Sequence, residues 1–135
     1  MDPEITKTFE ESLNRCFKDP HFLDRFYDTF LASSPKVAEK FAKTDFVRQK
    51  RALKDSFYMM VRASHDSAAG HDAYLKGLAD RHSSRELAIG AEFYDYWLDS
   101  LLLTVKQTDP GYSEQVRESW ERVMMIGINY LLSKY

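Results

Sequence analysis

Large apolar residues recur along this chain with the spacing of an α-helix. In five stretches the apolar positions lie mostly three or four residues apart: Ile5, Phe9, Leu13 and Phe17; Phe22, Phe26 and Phe30; Leu53, Phe57, Met60 and Val61; Phe93, Trp97, Leu101 and Val105; Val116, Trp120, Val123, Gly127 and Leu131. This spacing places each set on one face of a helix, and no segment alternates apolar and polar residues over the length of a strand. The pattern therefore predicts an all-α protein.

Three of the four prolines mark predicted helix starts. Each follows a residue whose side chain can cap a helix, in Asp2-Pro3, Asp19-Pro20 and Ser34-Pro35, and proline loses no hydrogen bond at the first helical position. The fourth lies in the turn signature Asp109-Pro110-Gly111. Six long helices are predicted near 3–18, 20–33, 46–63, 71–82, 86–107 and 112–133, with a short helical turn at 35–41. The small and polar stretch 64–70 is expected to be the least ordered.

The composition is that of a folded domain with no surface suited to nucleic acid. Of the 135 residues 44% are hydrophobic and 14% aromatic, which is too apolar for a disordered chain. The length fits a single domain, predicted to span 1–135. The formal charge is −2 and the two signs are interspersed, so no basic stripe is available to neutralise phosphates. Nucleic acid is therefore not an expected partner.

The cysteine content and the apolar runs indicate a soluble cytoplasmic protein. Cys16 is the single cysteine, so no disulfide can form within the chain, and the first residues lack the features of a signal peptide. The longest apolar runs, such as Leu101–Val105, fall far short of the roughly 20 residues that cross a bilayer. We therefore expect a reducing compartment and no membrane association.

His82 continues the apolar face of the predicted helix 71–82, because it follows Leu78 by four residues and Leu75 by seven. An inward histidine is either a hydrogen-bonded core residue or a metal ligand. No second inward histidine or cysteine is predicted to complete a zinc site, which needs three or four protein ligands. A metal at His82 would therefore take its other ligands from a cofactor. Haem meets that requirement, since it needs only one proximal imidazole, and the Leu78 carbonyl could hold the other ring nitrogen.

Five fragments of the sequence, in the same order, resemble the globin family, and specifically bacterial single-domain haemoglobins, the globin domains of flavohaemoglobins and globin-coupled sensors. The resemblance runs from about residue 20 to residue 130. They are Tyr27 eight residues before Pro35; Phe41 six residues after it; Gln49-Lys50-Arg51-Ala52-Leu53; Leu78-Ala79-Asp80-Arg81-His82; and Tyr94 followed by Leu98, Leu101 and Leu102. The resemblance implies a globin fold, with helices crossing around a haem pocket.

The resemblance also implies a role for each matched residue. His82 would bind the iron of haem b (iron protoporphyrin IX), while Tyr27, Gln49 and Leu53 would face the gas ligand on the distal side. The residues expected to contact the cofactor are Phe41, Phe46, Phe57, Leu78, Tyr94 and Trp97. The two polar distal residues also have ordinary structural alternatives. Tyr27 could be a core residue bonded to the backbone, and Gln49, which lies within a polar run, could lie on a solvated helix face.

The function implied is reversible binding of dioxygen or another diatomic gas at a ferrous haem, for oxygen transport, delivery or sensing. One alternative is nitric oxide dioxygenation with a separate reductase, and another is a haem-free signalling module with the globin fold. Flavohaemoglobins carry a glutamate late in the last helix, whereas 124–132 contains no carboxylate. The chain ends directly after the last predicted helix, so a reductase or signalling partner is expected to be a separate protein. A monomer and a homodimer both fit the sequence.

Overall fold

The computed structural model describes residues 2–65 and 93–133, which fold into helices with no strand in either range. The helices are α1 (Pro3–Phe17), α2 (Phe22–Ala32), α3 (Pro35–Lys40), α4 (Phe46–His65), α5 (Tyr94–Thr108) and α6 (Glu114–Ser133). This architecture confirms the predicted all-α class. Within the same two ranges, no helix combines the length and the apolar content that a membrane span requires.

Two of the three predicted proline starts are confirmed, and one is wrong by two residues. The Asp2 side chain accepts a hydrogen bond from the Glu4 N–H, and the Ser34 side chain caps α3 in the same way. At Asp19-Pro20, however, the Asp19 carboxylate accepts the N–H of His21 at 2.9 Å and its carbonyl accepts the N–H of Phe22 at 3.2 Å. These bonds form a turn, and α2 therefore begins only at Phe22.

The later boundaries match the prediction only in part, because the helix predicted at 86–107 begins at Tyr94, with Phe93 as its N-cap. The turn at Asp109-Pro110-Gly111 separates α5 from α6 as expected. The start of α6 is set by Ser113, whose side chain accepts the N–H of Val116 at 3.2 Å. The structure describes α4 as far as His65, two residues beyond its predicted end, and α4 thus includes the first part of the stretch 64–70. The predicted helix 71–82, the predicted residues 86–92 and the rest of 64–70 lie outside the described residues.

The helices enclose a core dominated by aromatic rings. The main packing pairs are α1 with α6 and α4, α2 with α5 and α3, and α5 with α6. Trp120 of α6 is fully buried, and its ring centroid lies 4.8 Å from that of Phe9 and 5.7 Å from that of Phe57. A second aromatic group lies between α2 and α5, where Trp97 meets the ring of Phe26 edge-on at 5.7 Å. Both groups belong to one continuous core.

The buried carboxylate of Asp109 connects the turn between α5 and α6 to α1. The Asp109 side chain is completely buried and accepts hydrogen bonds from Ser12 Oγ at 2.6 Å, Arg15 Nε at 2.5 Å and the Gly111 N–H at 2.7 Å. Trp120 Nε1 in turn donates to Ser12 Oγ at 2.8 Å. A Cβ at Gly111 would approach the Arg15 guanidinium to 2.9 Å, so glycine lets the turn close over this arginine. The network therefore fixes α1 against α6.

We expect the Asp109→Asn substitution to remove a pH-dependent part of the stability. Burial raises the pKa of the Asp109 carboxyl, but hydrogen bonds from Arg15, Ser12 and Gly111 outweigh it and hold that pKa below its usual value. Stability from a lowered pKa is present above the unfolded value of about 3.9 and is lost as the pH falls through the folded value. The variant should unfold with a free energy lower by about 1.5–3 kcal/mol at neutral pH, as expected for lost hydrogen bonds to a charged group.

Urea unfolding at neutral pH and at about pH 3, below the unfolded carboxyl pKa, measures this effect. The difference between the parent and Asp109→Asn should shrink at the lower pH. The matched control is Asp55→Asn, because Asp55 is exposed on α4. The same loss of stability at both pH values would show that the Asp109 charge makes no contribution.

Candidate functional site

Tyr27 on α2 and Gln49 on α4 form a buried polar pair between two helices. Only 4% of Tyr27 and 6% of Gln49 is exposed, and the Gln49 side chain is a polar neighbour of the Tyr27 hydroxyl. Burial raises the pKa of the Tyr27 phenol, and the contact with Gln49 offsets only part of that rise. The hydroxyl therefore stays protonated at neutral pH. The structure thus pairs Tyr27 with a side chain and places Gln49 in the interior.

Tyr27 points inward because α2 is apolar along one face. Phe22, Phe26 and Phe30 are fully buried at helical spacing, and Tyr27 extends this face by one position. The Tyr27 ring lies 4.9 Å from that of Phe26 and 5.2 Å from that of Phe46 at the start of α4. Packing on two sides leaves the ring little freedom. The position of the hydroxyl is therefore set by the core.

Gln49 is buried although its sequence neighbours are polar. Successive residues of a helix point about 100° apart, so Gln49 shares a face with Leu53, one turn later, and not with Arg48. Leu53 is 6% exposed, whereas Arg48 is exposed. The neighbouring Lys50 places its Nζ 2.6 Å from Asp24 Oδ1 and so ties α4 to α2 beside Gln49. The polar run is therefore compatible with a buried amide.

A second group of predicted site residues lies where α3 meets α5. Phe41 directly follows α3 and is 5% exposed, and its ring lies 5.4 Å from that of Phe30. Phe93 contacts Phe41 at 6.4 Å and is itself buried. The predicted site residues Tyr94 and Trp97 are buried on the first turn of α5. Phe93 was missing from the predicted site, although its place directly before Tyr94 could have indicated it.

Phe57 lies in a different part of the core from Tyr27. Its ring packs against Trp120 at 5.7 Å and Phe17 at 6.5 Å, between α1 and α6. The reason is helical rotation, because a residue eight positions beyond Gln49 points about 80° away from it. Leu53 therefore points in nearly the same direction as Gln49, whereas Phe57 points towards α1 and α6.

The predicted proximal side cannot be described in the same way. His82 and Leu78 both lie outside the described residues. Ligation of iron by His82 stays a prediction, as do the roles of Tyr27, Gln49 and Leu53 towards a gas. The structure brings Tyr27, Gln49 and the partly buried Phe46 together, and the other described candidates are buried in the same core.

Comparison with known proteins gives one informative similarity. No protein-family model and no curated protein matches this sequence. A crystal structure of a Pseudomonas aeruginosa protein, described as structurally highly homologous to a human haemoglobin, is similar with a TM-score of 0.83 and 37% sequence identity. The similarity covers 97% of this chain and 98% of that one. It therefore includes nearly every residue of both molecules.

Proposed function

This chain belongs to the globin family, and we propose that it binds haem b through His82 and reversibly holds dioxygen or another diatomic gas beside Tyr27 and Gln49. The observation that carries the proposal is the burial of these two polar side chains beside each other. When bound, ferrous haem supplies an iron atom at which a diatomic gas can be held. The cytoplasm, predicted from the sequence, is the proposed location.

The described residues fit the distal side of such a pocket. A porphyrin is flat and apolar, and pockets for such cofactors are lined mainly by apolar and aromatic side chains with a few polar groups. Phe41, Phe46 and Leu53 supply apolar surface in the core that also contains Tyr27. Among the described residues the buried charged side chain is Asp109, which is already bonded to Ser12 and Arg15. The polar pair beside the proposed cofactor is therefore neutral.

Tyr27 and Gln49 together offer more than one hydrogen-bond donor to a ligand. The contact with Gln49 lowers the pKa of Tyr27, against the larger effect of burial. The phenol has one O–H and the amide two N–H groups, so a donor remains for a further acceptor whichever side chain donates to the other. A gas held at the iron would accept a hydrogen bond, and such a bond would be stronger in an apolar interior than in water. Tyr27, whose ring packs against Phe26 and Phe46, would be the principal donor, with Gln49 beside it.

The surrounding apolar side chains would exclude water from the same space. Leu53 is 6% exposed and lies one turn beyond Gln49 on the same side of α4. Phe46 packs on the Tyr27 ring and is partly buried at the beginning of that helix. An apolar shell strengthens the polar contacts inside it and slows oxidation of a ferrous centre by limiting access of water. These residues would thus slow oxidation of the iron.

Titration of the purified haem-free protein with haem tests the proposal directly. We expect a Soret band that saturates at one haem per chain, since His82 supplies a single site. After reduction, dioxygen should shift the band and its removal should restore the original spectrum. A titration without saturation would contradict haem binding and favour the haem-free signalling module. A saturated band that did not respond to dioxygen or carbon monoxide would contradict gas binding.

A further inference from the structure

The outward face of α5 carries apolar side chains that the core does not use. Tyr96 is 40% exposed and Leu103 is 45% exposed, and both are among the large apolar side chains on the surface. Together with the exposed Asp99 and Lys106 they form a stripe at helical spacing, here named the α5 stripe. Trp97, on another side of the same helix, is buried in the core. The α5 stripe is therefore a separate surface feature.

A groove runs beside the α5 stripe, between α2 and α5. It has a volume of about 580 Å³. Its lining residues are Asp28, Thr29, Ala32, Ser33, Asp99, Ser100 and Leu103. Leu103 thus belongs both to the stripe and to the edge of the groove. An apolar side chain from a second molecule could enter the groove and contact Leu103 there.

Two copies of the α5 stripe that pack antiparallel would bring opposite charges together. Asp99 and Lys106 lie equally far on either side of the midpoint between Leu102 and Leu103. A second α5 packed antiparallel about that midpoint would place its Lys106 opposite Asp99, and its Asp99 opposite Lys106. Within residues 2–65 and 93–133 Asp99 makes no ion pair, and Lys106 has only a through-space attraction to Glu114. Both charges could therefore pair across the axis.

We propose that this face is the interface of a homodimer with twofold symmetry. Leu103 of each copy enters the α2–α5 groove of the other copy, and Asp99 and Lys106 form two symmetric ion pairs around it. Such an interface uses the same patch on both molecules, which is the commonest arrangement in soluble oligomers. An apolar centre with charged pairs at the rim is also the usual anatomy of a protein interface. This inference is independent of haem binding.

Analytical ultracentrifugation of the full chain over a range of concentrations tests the apolar centre. The parent protein should sediment as a reversible dimer. Leu103→Asp should raise the dimer dissociation constant by about a hundredfold, because it removes apolar contact and places two carboxylates together across the axis. The matched control is Val47→Asp, because Val47 is 72% exposed on α4 and should leave the dissociation constant unchanged. A monomeric parent, or a dimer insensitive to Leu103→Asp, would overturn the proposal.

Charge reversal tests the antiparallel register. Asp99→Lys and Lys106→Asp should each raise the dissociation constant by about tenfold, since every attraction becomes a repulsion. The double variant should dissociate within about threefold of the parent, because its ion pairs are restored with exchanged signs. Circular dichroism melting checks that all variants remain folded. A double variant whose dissociation constant is as high as that of either single variant would overturn the register. Association only with a basic protein of another sequence, and not with a second copy of this chain, would overturn self-association.

Discussion

The His82→Ala variant is expected to lose specific haem binding. His82 is the one protein ligand proposed for the iron, so its removal deletes the only bond between the chain and the metal. The saturable Soret band of the parent should be replaced by weak, unsaturated binding. Free imidazole should restore the band, because it can occupy the space of the missing side chain and supply the same ligand atom. Difference titrations with and without imidazole measure both effects.

His21→Ala is the control for this experiment. His21 lies directly before α2, and its side chain is 70% exposed and contacts Asp24 at 3.1 Å. Its removal should leave the haem titration unchanged. An unaltered ferrous spectrum of His82→Ala without imidazole would contradict the ligand assignment. Loss of the band in both variants would point to a general destabilisation, which circular dichroism would detect separately.

Local chemistry explains which helix boundaries could be predicted from the sequence. Asp2 and Ser34 cap the next turn of backbone, and these contacts depend only on residues two positions away. Asp19 has the same pattern, but its side chain and carbonyl form a turn through Pro20 and His21 before α2 begins. A carboxylate before a proline can satisfy either geometry, so the pattern alone could not decide between them.

Long-range contacts explain what the sequence could not show. The Asp109 side chain bonds to Ser12, a residue 97 positions away, whereas its sequence context indicated only a turn. Gln49 was expected in the site because its fragment resembles that of bacterial globins, although its polar neighbours also fitted a solvated face. The contact with Tyr27 on another helix places it inside. Helical periodicity identifies a buried face but not which neighbouring helix covers it, as Phe57 shows.

Tyr27→Phe should accelerate dissociation of dioxygen by roughly ten- to a hundredfold. The substitution removes the hydroxyl and keeps the ring that packs on Phe26 and Phe46. A hydrogen bond to a partly charged oxygen contributes about 1.5–3 kcal/mol, and about 1.4 kcal/mol corresponds to a tenfold change. Stopped-flow displacement of dioxygen measures the rate. Carbon monoxide accumulates much less charge, so its dissociation should change far less and serves as the internal control.

Tyr27→Phe has to be interpreted together with a second substitution, because Gln49 can replace the lost hydroxyl as a donor. In Tyr27→Phe the Gln49 amide loses its partner and can turn towards the gas, which would reduce the observed effect. The double variant Tyr27→Phe/Gln49→Leu removes both donors and should dissociate dioxygen at least as fast as the single variant. The two effects need not add, because both side chains act on one ligand. Dissociation rates equal to the parent in both variants would identify Tyr27 as a core tyrosine whose hydroxyl serves only to satisfy Gln49.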